Sequence, residues 1–312
     1  MPIWIAVTLV SAALQTLRFM LQKRLKGAGL STGGATFSRF LFGAPLALAG
    51  TALALGLGLG GGPQAGGTGL ATGLATAPGP AFWGFVLAGG AAQVCATYMT
   101  VALFSLRNFA VGVAFTKTET VQVALFSAVL LGEGVSAAGM GAIAVGLAGV
   151  LLLSRAPAGA TGGGLLSRAT LYGVAAGGLF GLSAICYRGA TLELMPGPAA
   201  LRAVATLAAV TTAQSLGMAA WLAWREPGEL ARVVRAWRRT VWVGVTGMLG
   251  SLGWFTAFAL QNAAYVRTLG QVEIVFTLMV SALVFRERLT PRELAGTGLV
   301  VASVVLLVAV IA

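Results

Sequence analysis

The sequence predicts an all-α polytopic membrane protein of ten transmembrane helices, arranged as two inverted five-helix repeats. Three observations predict it. The composition is that of a chain surrounded by lipid: 58% of its 312 residues are hydrophobic, 9% are charged, and the mean hydropathy is +0.91. A soluble domain carries roughly 25% charged residues, and a chain this poor in charge cannot cover a water-facing surface. Long apolar runs recur at the length a bilayer requires. The two halves also carry the same polar residues in one register.

A span needs roughly 20 mostly apolar residues. Ten segments meet this: 3–22, 35–57, 82–105, 109–131, 137–154, 170–188, 199–222, 240–260, 264–284 and 292–311. In hydrocarbon every backbone amide is paired within its segment, so these runs are helices; barrel strands would be shorter and would alternate in polarity. Glycine and alanine recur inside them, where small side chains let helix backbones approach closely. The first run opens Met1-Pro2-Ile3-Trp4 with no basic leader and is long enough to be a retained helix rather than a cleavable signal. The glycine-rich stretch from Gly56 to Pro80 reads as a connector, because it lacks the Gly-Lys-Ser/Thr of a phosphate loop. A second linker, Ser154 to Gly164, separates a first unit at 1–156 from a second at 165–312. The stretch Arg225 to Arg239, with Arg232, Arg235, Arg238, Arg239 and Trp237, reads as a topology anchor able to form an amphipathic helix on an anionic leaflet.

Sliding 104–133 onto 258–287 exposes the repeat. Phe104 falls on Phe258, Asn108 on Asn262, Glu119 on Glu273, Ser127 on Ser281 and Glu133 on Glu287. Shared apolar residues mean little in a membrane protein; shared Asn, Ser and two Glu in one register mark an internal repeat. Five spans per copy is an odd number, so fused copies must insert in opposite orientations. The charges agree. In the first half Lys23, Arg24, Lys26 and Arg107 occupy loops 1–2 and 3–4. In the second half the bias inverts, with Arg225, Arg232, Arg235, Arg238, Arg239, Arg286, Arg288 and Arg292 in loops 7–8 and 9–10, and only Arg188 and Arg267 in the opposite loops. With Arg155 and Arg168 in the central linker, this bias places both termini outside.

Histidine and aspartate are absent, and all eight acids are glutamates. That removes histidine-based triads, zinc sites and carboxylate clusters for Mg²⁺, and leaves no plausible catalytic set. No cofactor is expected. Cys95 and Cys186 lie in apolar segments and read as small buried hydrophobes. The net charge of +12 sits mostly in short loops rather than on one basic face, which argues against nucleic acid.

The candidate site is built on Glu119 and Glu273, mid-span residues at the same repeat position. Charges at bilayer depth are costly and face a cavity or a partner, and an inverted repeat brings equivalent positions near its two-fold axis. Gln122 and Thr277 follow the glutamates by three and four residues, on the same helix face. Lys117 and Gln271 precede them by two and contact another helix. Arg18 and Arg39 are available counter-charges. Gln93, Tyr98 and Phe104 on span three, with Trp254 and Phe258 on span eight, are candidates to line the same cavity; packing or interfacial anchoring is the alternative for the aromatics. A glutamate here binds a cationic or amine group, or a coupling proton taken up and released on either side. The alternative is a structural ion pair, Glu119 with Lys117 or Arg39. Glu133 and Glu287 sit at helix ends and suit turn or capping roles.

Val129-Leu-Leu-Gly-Glu133, followed by a small-residue helix to Ser154, is similar to the end of an EamA-type repeat. Phe285-Arg-Glu-Arg-Leu289 leading into Leu294-Ala-Gly-Thr-Gly298 is similar to the second copy. Ser38-Arg39-Phe40-Leu41 and Leu201-Arg202-Ala203 resemble the arginine that opens the second helix of each repeat. The chain thus resembles the drug/metabolite transporter superfamily over nearly its whole length. The resemblance implies a multi-pass protein of the bacterial inner membrane that is no enzyme. It implies export of a small metabolite, amino acid or drug-like compound by a secondary transporter, driven by proton antiport or exchange through a cavity between the repeats. It implies a small-molecule substrate and a lipid bilayer as partners, a monomer or homodimer, and both termini in the cytoplasm, against the charge bias. The alternative is a membrane-embedded protein without transport activity, such as a lipid-modifying enzyme or scaffold.

Overall fold

The apolar runs become helices wherever the computed structural model describes them: residues 2–27, 29–57, 78–105, 116, 119–154, 168–195, 197–286 and 290–311. Among these no strand occurs. The helices are α1 (Ile3–Gly27), α2 (Thr32–Gly56), α3 (Pro80–Leu103), α4 (Glu119–Leu131), α5 (Ala137–Ser154), α6 (Arg168–Glu193), α7 (Ala199–Arg225), α8 (Glu229–Arg235), α9 (Trp237–Leu260), α10 (Ala263–Leu269), α11 (Glu273–Leu283) and α12 (Pro291–Ile311). The connector 58–77, the linker 155–167, and residues Arg107, Asn108, Lys117 and Glu287 lie outside the described residues.

Local chemistry sets the helix ends. Ser31 caps α2, its Oγ accepting from the Gly34 N–H at 2.9 Å. Proline opens α3 at the first turn, where a missing N–H costs nothing. The Asn262 Oδ1 accepts from the Ala264 N–H at 2.8 Å and starts α10. At its other end α1 runs on past its apolar stretch to Gly27, because Arg24 and Lys26 complement the negative end of the helix dipole.

Among the described residues, six segments are long and apolar enough to cross a membrane: α1, α2, α3, α7, α9, and Ala263–Leu283 taken as one. Glu119–Leu131, Ala137–Gly149 and Leu294–Ala309 are shorter apolar helices. Burial is inverted relative to a soluble protein. Leu283, Val129 and Leu216 are exposed, whereas Arg18, Gln271 and Glu273 are buried. Exposed leucine and buried charge together require a surround of lipid.

The last of these segments departs from the sequence reading, which ran one helix through 264–284. The structure breaks it into α10, a 3-10 turn at Gly270–Val272, and α11. The break has a tertiary cause. A Cβ on Gly270 would lie 2.5 Å from the Trp254 ring, so the backbone turns where the indole presses against it.

Packing follows a paired scheme. Helix α1 runs along α9, and α3 along α6; α2 lies on α9, and α7 on α3; α1 touches α11, and α4 touches α6. Helices α2 and α7 pack on each other, as do α5 and α12. Glycines bring these pairs together. A Cβ on Gly149 of α5 would stand 2.6 Å from the Gly296 carbonyl of α12, and one on Gly89 of α3 would stand 2.7 Å from Cys186 of α6.

The arginine-rich stretch does form a short helix, α8. Gly228 precedes it with φ of 87°, a left-handed turn that glycine adopts readily. Glu229 is buried against the start of α2, where its Oε1 accepts from the Ser31 N–H at 2.7 Å; it also pairs with Arg232. Glu226 accepts from the Ser31 hydroxyl. Arg232, Arg235 and Arg239 then border a hollow of about 330 Å³ with Leu25 and Leu30; Trp224 and Trp237, at the ends of the flanking helices, are exposed.

Three assignments change. Arg188 and Arg267 are not loop charges: both lie within helices, and both pair with glutamates. Cys95 is exposed on α3, while Cys186 is buried as expected.

Candidate functional site

The interior polar residues gather where α1, α2, α9, α10 and the starts of α4 and α11 meet. Glu119 opens the described part of α4 and lies 3.7 Å from Nη1 of Arg267, on α10. Glu273 opens α11 directly after the 3-10 turn, and its Oε2 accepts from Nε2 of Gln15, on α1, at 2.8 Å. Both glutamates are buried, as is Thr277 one turn after Glu273. Glu119 is paired, as the alternative reading allowed, but with Arg267 rather than Arg39; Lys117 lies outside the described residues.

Arg39 is buried, and it donates to the hydroxyls of Thr97 on α3 at 3.3 Å and Ser251 on α9 at 2.9 Å. Arg18 donates through Nη1 to Gln22 at 2.9 Å, and its guanidinium lies 4.1 Å from the Phe19 ring centroid. Phe19 in turn meets Phe104 edge to face at 5.9 Å. Trp254 joins this group: the Arg267 guanidinium stands 4.9 Å from its ring, and Phe258 stacks beside it at 6.2 Å. Glu119, Glu273, Arg39 and Trp254 therefore come together with Arg18.

The other candidates go elsewhere. Gln122 packs on Gly178 of α6. Gln271 turns away from Glu273, toward Gly146 of α5, as its spacing required. Gln93 accepts from Nε2 of Gln214 at 3.0 Å, and Gln214 also donates to Tyr187. Tyr98 meets Trp221 edge to face at 5.9 Å. Tyr98, Gln214, Trp221 and exposed Cys95 border a cavity of about 490 Å³ between α3 and α7. Glu133 is held by Arg188, whose Nε donates to it at 2.8 Å, a structural clamp between the end of α4 and α6.

Sequence reasoning missed Arg267, Gln15 and the Tyr187–Gln214 pair. Arg267 sits five residues after Asn262, at the edge of an apolar run, where hydropathy alone reads a loop. Gln15 lies three residues before Arg18, on one face of α1, and that spacing was a usable signal.

Residues 167–309 match the family model of the EamA-like transporter family. The second half of the chain is thus similar to a family of membrane transporters of small solutes, and the apolar helices agree with a multi-pass membrane protein. No curated protein matches the sequence. One solved crystal structure, described only as that of a protein, superimposes with a TM-score of 0.66 over 96% of this chain and 96% of that chain at 16% identity, a likeness of fold alone. The EamA-like half supplies Arg267, Glu273 and Trp254; Gln15, Arg18, Arg39 and Glu119 come from the preceding half, so the polar interior is shared between them.

Proposed function

We propose that the chain is a secondary transporter that exports a small metabolite, amino acid or drug-like compound across a bacterial inner membrane. Proton antiport or substrate exchange drives it. The path runs between two inverted repeats of five spans, 1–156 and 165–312, ten spans in all. Glu119 and Glu273 carry the proton or substrate contact, with Arg39 and Trp254 beside them. Lys117, Gln93, Gln122 and Tyr98 contribute at the margins of the path.

The observation that carries this reading is a reciprocity. Glu119, of the first half, is held by Arg267 of the second; Glu273, of the second half, is held by Gln15 of the first. Equivalent acids meeting across the halves is the arrangement expected at the axis of an inverted repeat. The helix pairings support it too. Exchanging α1 with α6, α2 with α7, α3 with α9, α4 with α11 and α5 with α12 maps the scheme of contacts onto itself. The broken helix before Glu273 adds a third support, since transporter sites favour interrupted spans.

The test compares metabolites released by cells with and without the protein, then repeats the measurement for Glu119→Gln and Glu273→Gln. Export is expected to fall by at least ~10-fold, about 1.4 kcal/mol of lost interaction, with insertion intact. If both variants export as the wild type does, the assignment of these glutamates is wrong.

A further inference from the structure

The charges buried at the centre do not balance. Arg18, Arg39 and Arg267 are 1%, 6% and 5% exposed; facing them are Glu119 at 3% and Glu273 at 0%. Among the described residues, three guanidiniums against two carboxylates leave one positive charge in excess. Among the described side chains no other acid is available. Aspartate is absent, Glu133 is taken by Arg188, and Glu226 and Glu229 are bound at Ser31. Glu193 is exposed at the end of α6, Glu287 follows α11 in sequence, and Glu293 belongs to the first turn of α12. An uncompensated charge in a lipid-shielded interior costs several kcal/mol, which a bound counter-charge relieves.

Among the described residues, three donors of this cluster are buried without a hydrogen-bond partner: Arg18 Nη2, Arg267 Nε and Trp254 Nε1. They converge on one stripe of α9, where Gly247, Ser251, Trp254 and Phe258 follow at helical spacing. A Cβ on Gly247 would come within 3.0 Å of Arg39 Cγ and 3.1 Å of Arg18 Cδ, so both arginines lie across this glycine. Ser251 receives Arg39, and Arg267 stands over Trp254 and Phe258.

We propose that this stripe of α9 is the floor of a binding site for a small organic monoanion, with its carboxylate on the Arg18–Arg39 pair and its apolar body against Trp254 and Phe258. Guanidinium forks suit a planar carboxylate, and an excess of one positive charge matches one negative charge rather than two. This rests on the transport reading of the same site and narrows its substrate to an organic monoanion.

Two matched probe sets test it on the purified full chain in detergent: benzoate, benzamide and benzylamine, and hexanoate, hexanamide and hexylamine, each at 10 mM. Benzoate or hexanoate is expected to raise Tm by ~2 °C or more, while the amides and amines leave it unchanged. The shift is expected to vanish in Arg18→Gln and to shrink in Arg18→Lys, which keeps the charge but loses the fork. Failure of both carboxylates on the wild type overturns the inference, as does stabilisation by an amine or by the neutral amide equally. If Arg18→Gln does not fold, the wild-type series alone decides. The metabolite-release comparison separates the two readings: an exported cation leaves transport standing and removes the anion site, whereas carboxylate binding with no exported compound removes transport.

Discussion

Arg267 and Glu119 approach to 3.7 Å in a part of the molecule where both side chains are almost fully enclosed. Breaking such a pair leaves its partner as a bare charge, which costs more than the pair itself contributes. Arg267→Gln is therefore expected to lower stability by about 3–5 kcal/mol, read as a fall in Tm of the detergent-solubilised protein. Adding Glu119→Gln to that variant is expected to recover more than half of the loss; additive losses in the double-mutant cycle would show that the two do not act on each other. The acids of the interior were legible in the sequence because Glu119 and Glu273 share a repeat register. Their partners were not, because Arg267 and Gln15 come from the opposite halves, and no local spacing connects residues that only folding brings together.

Most helices fell where hydropathy placed them, since a bilayer sets their length before any neighbour is considered. The break at Gly270–Val272 did not, because residues 264–284 form one mostly apolar run that contains no proline. It answers to Trp254, on a different helix. The register of helix against helix is likewise a matter of single glycines. Gly149→Ala would set a methyl 2.6 Å from a backbone carbonyl that cannot rotate away, and a cost of about 1–3 kcal/mol is expected. Gly141→Ala, on the same helix with nothing within 4 Å, is expected to leave Tm unchanged. Equal effects of the two would show that α5 and α12 do not depend on this contact. Arg39 was read as a counter-charge to the glutamates and Gln93 as lining their cavity; the structure sends Gln93 to Gln214 and Arg39 to Ser251.

For the whole molecule, the removal of Arg188 and Arg267 from the loops sharpens the charge asymmetry. Lys23, Arg24 and Lys26 at the end of α1 and the arginines from Arg225 to Arg239 remain, with no described loop arginine or lysine to oppose them. By the positive-inside rule this bias predicts that end in the cytoplasm and the C-terminus outside. Alkaline phosphatase fused after residue 312 is then expected to be active and a green fluorescent reporter dark; the reverse result would restore the orientation usual for the family.

The halves are also not neighbours so much as strands of one weave. Helix α1 finds its long partner in α9, α2 in α7 and α9, and α3 in α6, while α1 and α2 touch only briefly. The start of α2 is closed by Glu226 and Glu229, which the ribosome delivers almost 200 residues later. Until then the nascent first half has its arginines and threonines in the membrane with no groove to receive them. Biosynthesis of this protein is therefore expected to pass through an unfinished intermediate whose inter-helix contacts form only once the second half has been made.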